Sequence, residues 1–126
     1  MRSIRHVLVI AGLAILLFDV AWSIASRAFG LSYSLLAPVS FLIYACAGFA
    51  AARRAGVWLG VAGGGLVALV DATLGWTLSW IIGPGRPPNG FEGWPATLSV
   101  IIVVVASGAL LGLVGGGISK LGTSSK

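Results

Sequence analysis

Four apolar runs decide what this chain can fold into. Residues 7–25 supply 19 positions with a single charge, Asp19; residues 35–52 supply 18 with none. Residues 57–82 supply 26 with one charge, Asp71, and residues 96–119 supply 24 with none. A helix needs roughly 20 mostly apolar residues to cross the hydrocarbon of a bilayer. The runs take 87 of the 126 residues, which leaves no room for a separate soluble domain. The expected fold is all-α: one integral membrane four-helix bundle over residues 1–126. Its spans fall at about 7–28, 34–52, 57–82 and 96–118.

The breaks carry turn chemistry. Gly30 sits in the first connection, and Arg53-Arg54-Ala55-Gly56 makes a tight second one. Residues 83–95 read GPGRPPNGFEGWP. Proline removes backbone donors and glycine frees the chain, so this Pro/Gly-rich loop cannot continue either helix.

Only 9% of residues are charged, against about 25% in soluble domains. A water-soluble enzyme and a nucleic-acid partner are therefore not expected. The net charge of +5 is spread over chain ends and loops, where it sets topology. Arg2, Arg5, Arg53, Arg54, Lys120 and Lys126 share one side, and Arg27 and Arg86 the other. The positive-inside rule then puts both termini in the cytoplasm and loop 83–95 outside a multi-pass inner (cytoplasmic) membrane protein. Phe29, Tyr33, Trp80, Phe91 and Trp94 would gather at the outer interface. The basic start and the apolar run after it also fit a signal peptide cut near Ala25, but an Asp directly after such a run argues against it.

A shift of 52 residues lays Asp19 on Asp71 and Gly12 on Gly64, and a shift of 60 lays Gly48 on Gly108. Each half would be a two-helix hairpin, and the two would share an orientation as a parallel duplication. Positions seven apart differ by about 20° around a helix. Gly12 therefore shares a face with Asp19, and Gly64 one with Asp71. Gly60 joins the second face. Small residues recur as Gly56, Gly60, Gly64, Ala68 and Ala72 in the third run, and as Gly108, Gly112 and Gly116 in the fourth. Such rows let helix backbones approach closely. One row is expected to pack within the chain. The other could build a homo-oligomer or dock a larger membrane partner.

Asp19 and Asp71 fall near the middle of their runs. An ionised Asp at the bilayer centre costs about 2.5–3.5 kcal/mol on insertion scales, and no Lys or Arg lies in any run to neutralise it. At least one of the two is expected to carry a proton at neutral pH. Two readings follow. In the first, the acids bind and release a proton or small cation in transport, with Ser23, Ser26, Tyr44 and Gly75 lining the path. Alternatively each is a neutral acid bonded to a neighbouring helix through Tyr44, Ser40 or Ser107, in a non-catalytic scaffold or accessory subunit assembled through glycine faces.

No catalytic set is expected. Intramembrane aspartyl proteases carry Tyr-Asp and Gly-x-Gly-Asp, whereas the contexts here are Leu17-Phe18-Asp19 and Leu69-Val70-Asp71. One histidine, His6, and one cysteine, Cys46, cannot build a zinc or bis-histidine haem site within one chain, so no metal or cofactor is expected. The stretch from Phe41 to Gly56, FLIYACAGFAAARRAG, running into Gly60 and Gly64, resembles uncharacterised small four-helix bacterial membrane proteins. The resemblance implies that fold and no activity.

Overall fold

The computed structural model describes residues 2–121, with side chains from residue 4 onward. Lys126 and the Arg2 side chain, counted above in the charge bias, lie outside that description. Among the described residues every regular element is helical. These are α1 (Arg2–Phe29), a 3-10 turn (Tyr33–Leu36), α2 (Ala37–Ala55), α3 (Val57–Val70), a π turn (Asp71–Gly75), α4 (Trp76–Ile82) and α5 (Trp94–Leu121). The segment α3, π turn and α4 runs as one long helix, so there are four long helices. All four are long and apolar enough to cross a membrane: Ile4–Phe29, Tyr33–Ala55, Val57–Ile82 and Trp94–Leu121. Each of the first, second and fourth extends slightly past the apolar run that announces it, because polar residues at the ends continue the backbone hydrogen bonding.

Local chemistry explains the joints. Pro38 stands in the first turn of α2, where its missing N–H costs nothing. Gly56 takes φ 94°, and its N–H returns to the Ala52 carbonyl at 2.9 Å. That left-handed residue ends α2 and starts α3 with no loop between them, a conformation glycine adopts without a Cβ penalty. Arg53 and Arg54 lie in the last turn of α2, where cations suit the helix dipole.

α2, α3 and α5 form a tight three-helix core, and α1 lies outside it against α2 and the third long helix. Glycine makes the core possible. A Cβ on Gly64 would overlap the Gly108 carbonyl, and one on Gly112 would overlap that of Gly60. A Cβ on Gly48 would stand 2.8 Å from the Gly112 carbonyl oxygen, and one on Gly116 3.2 Å from the Ala52 methyl. The small-residue rows of the third and fourth apolar runs therefore face each other within one chain. Gly12 has nothing within 4 Å of its Cβ position, so the first hairpin has no counterpart of this contact. The two hairpins pack differently.

Polarity runs from inside to outside in the reverse of the usual sense. Leu17 and Ile102 are 70% and 66% exposed, whereas Asp19, Ser23 and Ser79 are fully buried. A Leu- and Ile-rich exterior around a polar interior is the distribution expected where the surroundings are apolar.

Candidate functional site

The third long helix changes partners at the π turn. Below it, α3 packs on α2 and α5 through Gly60, Gly64 and Ala68. Above it, α4 packs on α1, and no Cα of α4 comes within 8 Å of any in α2 or α5. The π turn inserts an extra residue into the helical ladder at Asp71–Gly75. Such turns are uncommon and gather at functional sites. Hydroxyls bond back along it: Thr73 Oγ1, inside the turn, donates to the Leu69 carbonyl at 2.6 Å, and Thr77 Oγ1, just beyond it, to the Thr73 carbonyl at 2.7 Å. Back-bonding of this kind bends helices. The apolar run over 57–82 predicts an unbroken helix, since the spacing of apolar residues does not register one extra residue in a ladder.

The divergence opens a wedge, and both acids sit at its apex. A Cβ on Gly75 would overlap the Asp19 carboxylate and stand 3.0 Å from Asp71 Oδ1. Glycine at 75 is therefore what lets the Asp19 carboxyl reach the π turn. The two carboxyls lie within hydrogen-bonding reach of each other. Neither can donate to the other unless one holds a proton. Apart from that contact, both oxygens of Asp19 are buried without a partner. Asp71 is better served, because the Tyr44 hydroxyl donates to its Oδ2 from α2. Tyr44 is itself 1% exposed, and its ring bridges the gap between α2 and the turn.

More unsatisfied hydroxyls continue from the carboxyls toward loop 83–93. Ser23 lies one turn beyond Asp19 on α1, and Ser79 one turn beyond Gly75 on α4. Both are fully buried, and neither hydroxyl makes a well-formed hydrogen bond. Ser40 on α2 is 3% exposed, and its hydroxyl stands beside that of Tyr44 without a well-formed hydrogen bond. The Tyr33 hydroxyl stands beside Ser79. On the other side of the carboxyls the packing is apolar, with Ile15, Ala47, Val67 and Ala68 clustered against Tyr44. The polar column is thus blind at one end. At the other, the loop folds over it: the Gly85 N–H reaches the Ser79 carbonyl at 3.4 Å, and a Cβ on Gly85 would overlap the Ser79 hydroxyl.

Access is sideways. A cavity of about 280 Å³ between α2, the third long helix and α5 is lined by Tyr33, Ser40, Tyr44, Asp71 and Trp76 among others. Asp71 is the acid at its wall, and Asp19 stands behind, sealed from solvent. Of the expected path residues, Tyr44 and Gly75 border the carboxyl pair, and Ser23 lies buried one turn beyond Asp19. Ser26 does not border the pair, since its hydroxyl donates to the Leu31 carbonyl at 2.6 Å. Ser107 bonds its own helix at Val103, 2.8 Å away. Ser79, Tyr33 and the π turn escaped the sequence reading; the spacing Asp71, Gly75, Ser79 was the available signal for Ser79. No group of three His, Cys, Asp or Glu side chains gathers among the described residues, so the donor set is two carboxyls and hydroxyls. Comparison with family models, with curated proteins and with solved structures finds no match.

Proposed function

We propose that this chain is a multi-pass protein of the inner (cytoplasmic) membrane that binds and releases a proton, or a small cation, at Asp19 and Asp71 to drive transport. The observation that carries the reading is the carboxyl pair itself. Two acids meet at mid-length in an apolar bundle, one of them fully buried with unpartnered oxygens, beside a π turn and unsatisfied hydroxyls. Intramembrane acids are costly and are retained mainly for such work. An excess proton shared between the carboxyls joins Tyr44, Asp71 and Asp19 into one chain of hydrogen bonds, and its loss leaves two facing charges. That is a large change in local energy from one titration. The charge bias of Arg5, Arg53, Arg54 and Lys120 against Arg27 and Arg86 supports cytoplasmic termini.

The alternative is a non-catalytic scaffold or accessory subunit, alone or as a homo-oligomer. The glycine rows that would serve it already contact each other inside the chain. A second copy or a larger partner would have to use the exposed apolar faces instead, which lipid covers equally well. The transport reading is therefore preferred.

The test reconstitutes the full chain in liposomes holding a pH-sensitive dye, under imposed proton and cation gradients, and compares Asp19→Asn and Asp71→Asn. Transport predicts flux that both variants abolish while folding intact. The protonated-carboxyl infrared band, titrated from about pH 5 to 9 across the usual range of buried carboxyl shifts, should rise and fall in the wild type. A band that never changes, with no flux under any gradient, makes the carboxyls structural hydrogen-bond partners and returns the scaffold reading.

A further inference from the structure

The cavity that reaches Asp71 is half of a larger recess. A second cavity, of about 320 Å³, lies between the third long helix and the start of α5, and the two share Ala72 and Trp76 as a common wall. The second is dominated by aromatic rings. Trp76 and Trp80 are 5.9 Å apart, Trp80 and Phe91 6.3 Å, and Phe91 and Trp94 5.6 Å, each pair edge-to-face. These four rings form a ladder along the mouth of the wedge, where α4 stands away from α5. The Trp80 indole N–H is buried there with no acceptor.

The charge lining is one-sided. No Lys, Arg or His borders either cavity, and Asp71 is the only ionisable acid on their walls. The closest cation in the sequence of the loop is Arg86. It borders an adjoining recess that shares Thr77, Trp80 and Phe91 with the second cavity, and its Nε–H donates to the Trp80 carbonyl at 2.9 Å, at the end of the ladder away from Asp71. Aromatic faces attract cations, Trp most strongly, and the attraction grows where water is excluded. Pockets that hold small organic ligands are mostly apolar with a few convergent polar groups.

We infer that this recess binds a lipophilic organic cation of the aryl- or alkylammonium class, its charged nitrogen against Asp71 and its apolar body among Trp76, Trp80, Phe91 and Trp94. The opening between α4 and α5 faces the side of the bundle, so the ligand enters from the apolar surroundings and not through the loop end, which Gly85 closes over Ser79. The inference rests on the carboxyl pair as a binding site, as the proposed function does, but it requires binding alone and neither flux nor coupling. Where both hold, the bound cation and the shared proton compete for the same carboxyls.

The test is equilibrium binding to the full chain in phosphatidylcholine nanodiscs, with benzyltrimethylammonium as the probe. Neopentylbenzene, nearly the same shape without the charge, and benzenesulfonate serve as competitors. Saturable binding of the ammonium is expected, with no displacement by either competitor at equal concentration. Asp71→Asn should weaken it by about tenfold or more, and Trp76→Leu by severalfold with Asp71 intact. Equal competition by neopentylbenzene would make the recess a neutral apolar groove and overturn the inference, and that arm needs no variant. Undiminished affinity in Asp71→Asn overturns it as well. So does absence of saturable binding, including in a sample whose groove is covered by a second copy. Binding of the ammonium without proton or cation flux sinks the transport reading only, and flux without ammonium binding sinks only this one.

Discussion

The Tyr44 hydroxyl on α2 donates to Oδ2 of Asp71 in the π turn, across a gap that no backbone contact closes. One side chain therefore ties the glycine-packed core to the acid at the apex of the wedge. Tyr44→Phe removes the donor and leaves the ring in place. Interhelical hydrogen bonds in membrane proteins average about 0.6 kcal/mol and reach about 1.7. A fully buried donor to a carboxyl belongs at the upper end, so a loss of roughly 1–2 kcal/mol is expected. Denaturation in mixed micelles measures it, and a double-mutant cycle with Asp71→Asn isolates the pair. A coupling energy near zero would mean that the hydroxyl and the carboxyl do not interact in the folded protein.

Gly75 and Gly12 look alike in sequence, each a glycine on the face of an acid, but their surroundings differ. A Cβ at 75 would overlap the Asp19 carboxylate, and a Cβ at 12 meets nothing. Gly75→Ala should push the carboxyls apart and destabilise the fold by about 1–3 kcal/mol, the usual range for overpacking. Gly12→Ala should be neutral or stabilising by up to about 1 kcal/mol, from helix propensity. Thermal unfolding of both variants side by side checks the difference. Equal effects would show that the approach of Asp19 to the π turn does not depend on the missing Cβ.

The four long helices and their approximate ends were legible because length and hydropathy alone set them. The acids were legible as well, since Asp19 and Asp71 are the only charges in the runs. What the sequence hides is how the third helix divides its allegiance. Nothing in the spacing of Val57 to Ile82 marks the π turn, or shows that its last residue, Gly75, makes room for Asp19 from another helix. The surroundings of Gly12 are hidden for a similar reason. Its match to Gly64 is real at the level of residues, but close approach needs a facing backbone: Gly64 meets that of α5, and Gly12 meets none. Ser26 shares a helical face with Asp19 and Ser23, yet the chain turns just beyond it and Leu31 takes its hydrogen bond.

The glycine contacts of the core should be far less forgiving than their number suggests. Gly64 and Gly112 face backbone atoms, which cannot rotate away as a side chain would. Gly64→Ala and Gly112→Ala should each cost at least about 1–3 kcal/mol, and leucine at either position should prevent folding. Gly117, one residue past Gly116 on the exposed side of α5, has nothing within 4 Å. Gly117→Ala should be tolerated. Amide hydrogen exchange over α3 and α5 reads the outcome, with loss of protection in the first two variants and none in the third.

Ser23 and Ser26 occupy neighbouring turns of α1 and should respond in opposite ways to alanine. Ser26 makes a 2.6 Å hydrogen bond to the Leu31 carbonyl at the end of the helix. Its loss strands that acceptor and should cost about 1 kcal/mol, with no effect on the carboxyl infrared band. Ser23 is fully buried with an unpartnered hydroxyl. Removing an unsatisfied buried polar group relieves a desolvation cost, so Ser23→Ala should leave stability unchanged or raise it by up to about 1–2 kcal/mol. A protein that keeps such a group gives up stability for something else, and the site beside Asp19 is where that something would register. Ser23→Ala should therefore alter the carboxyl titration while improving the fold. If it destabilises the protein and leaves the titration unmoved, Ser23 is a structural hydroxyl and the polar column ends at Asp19.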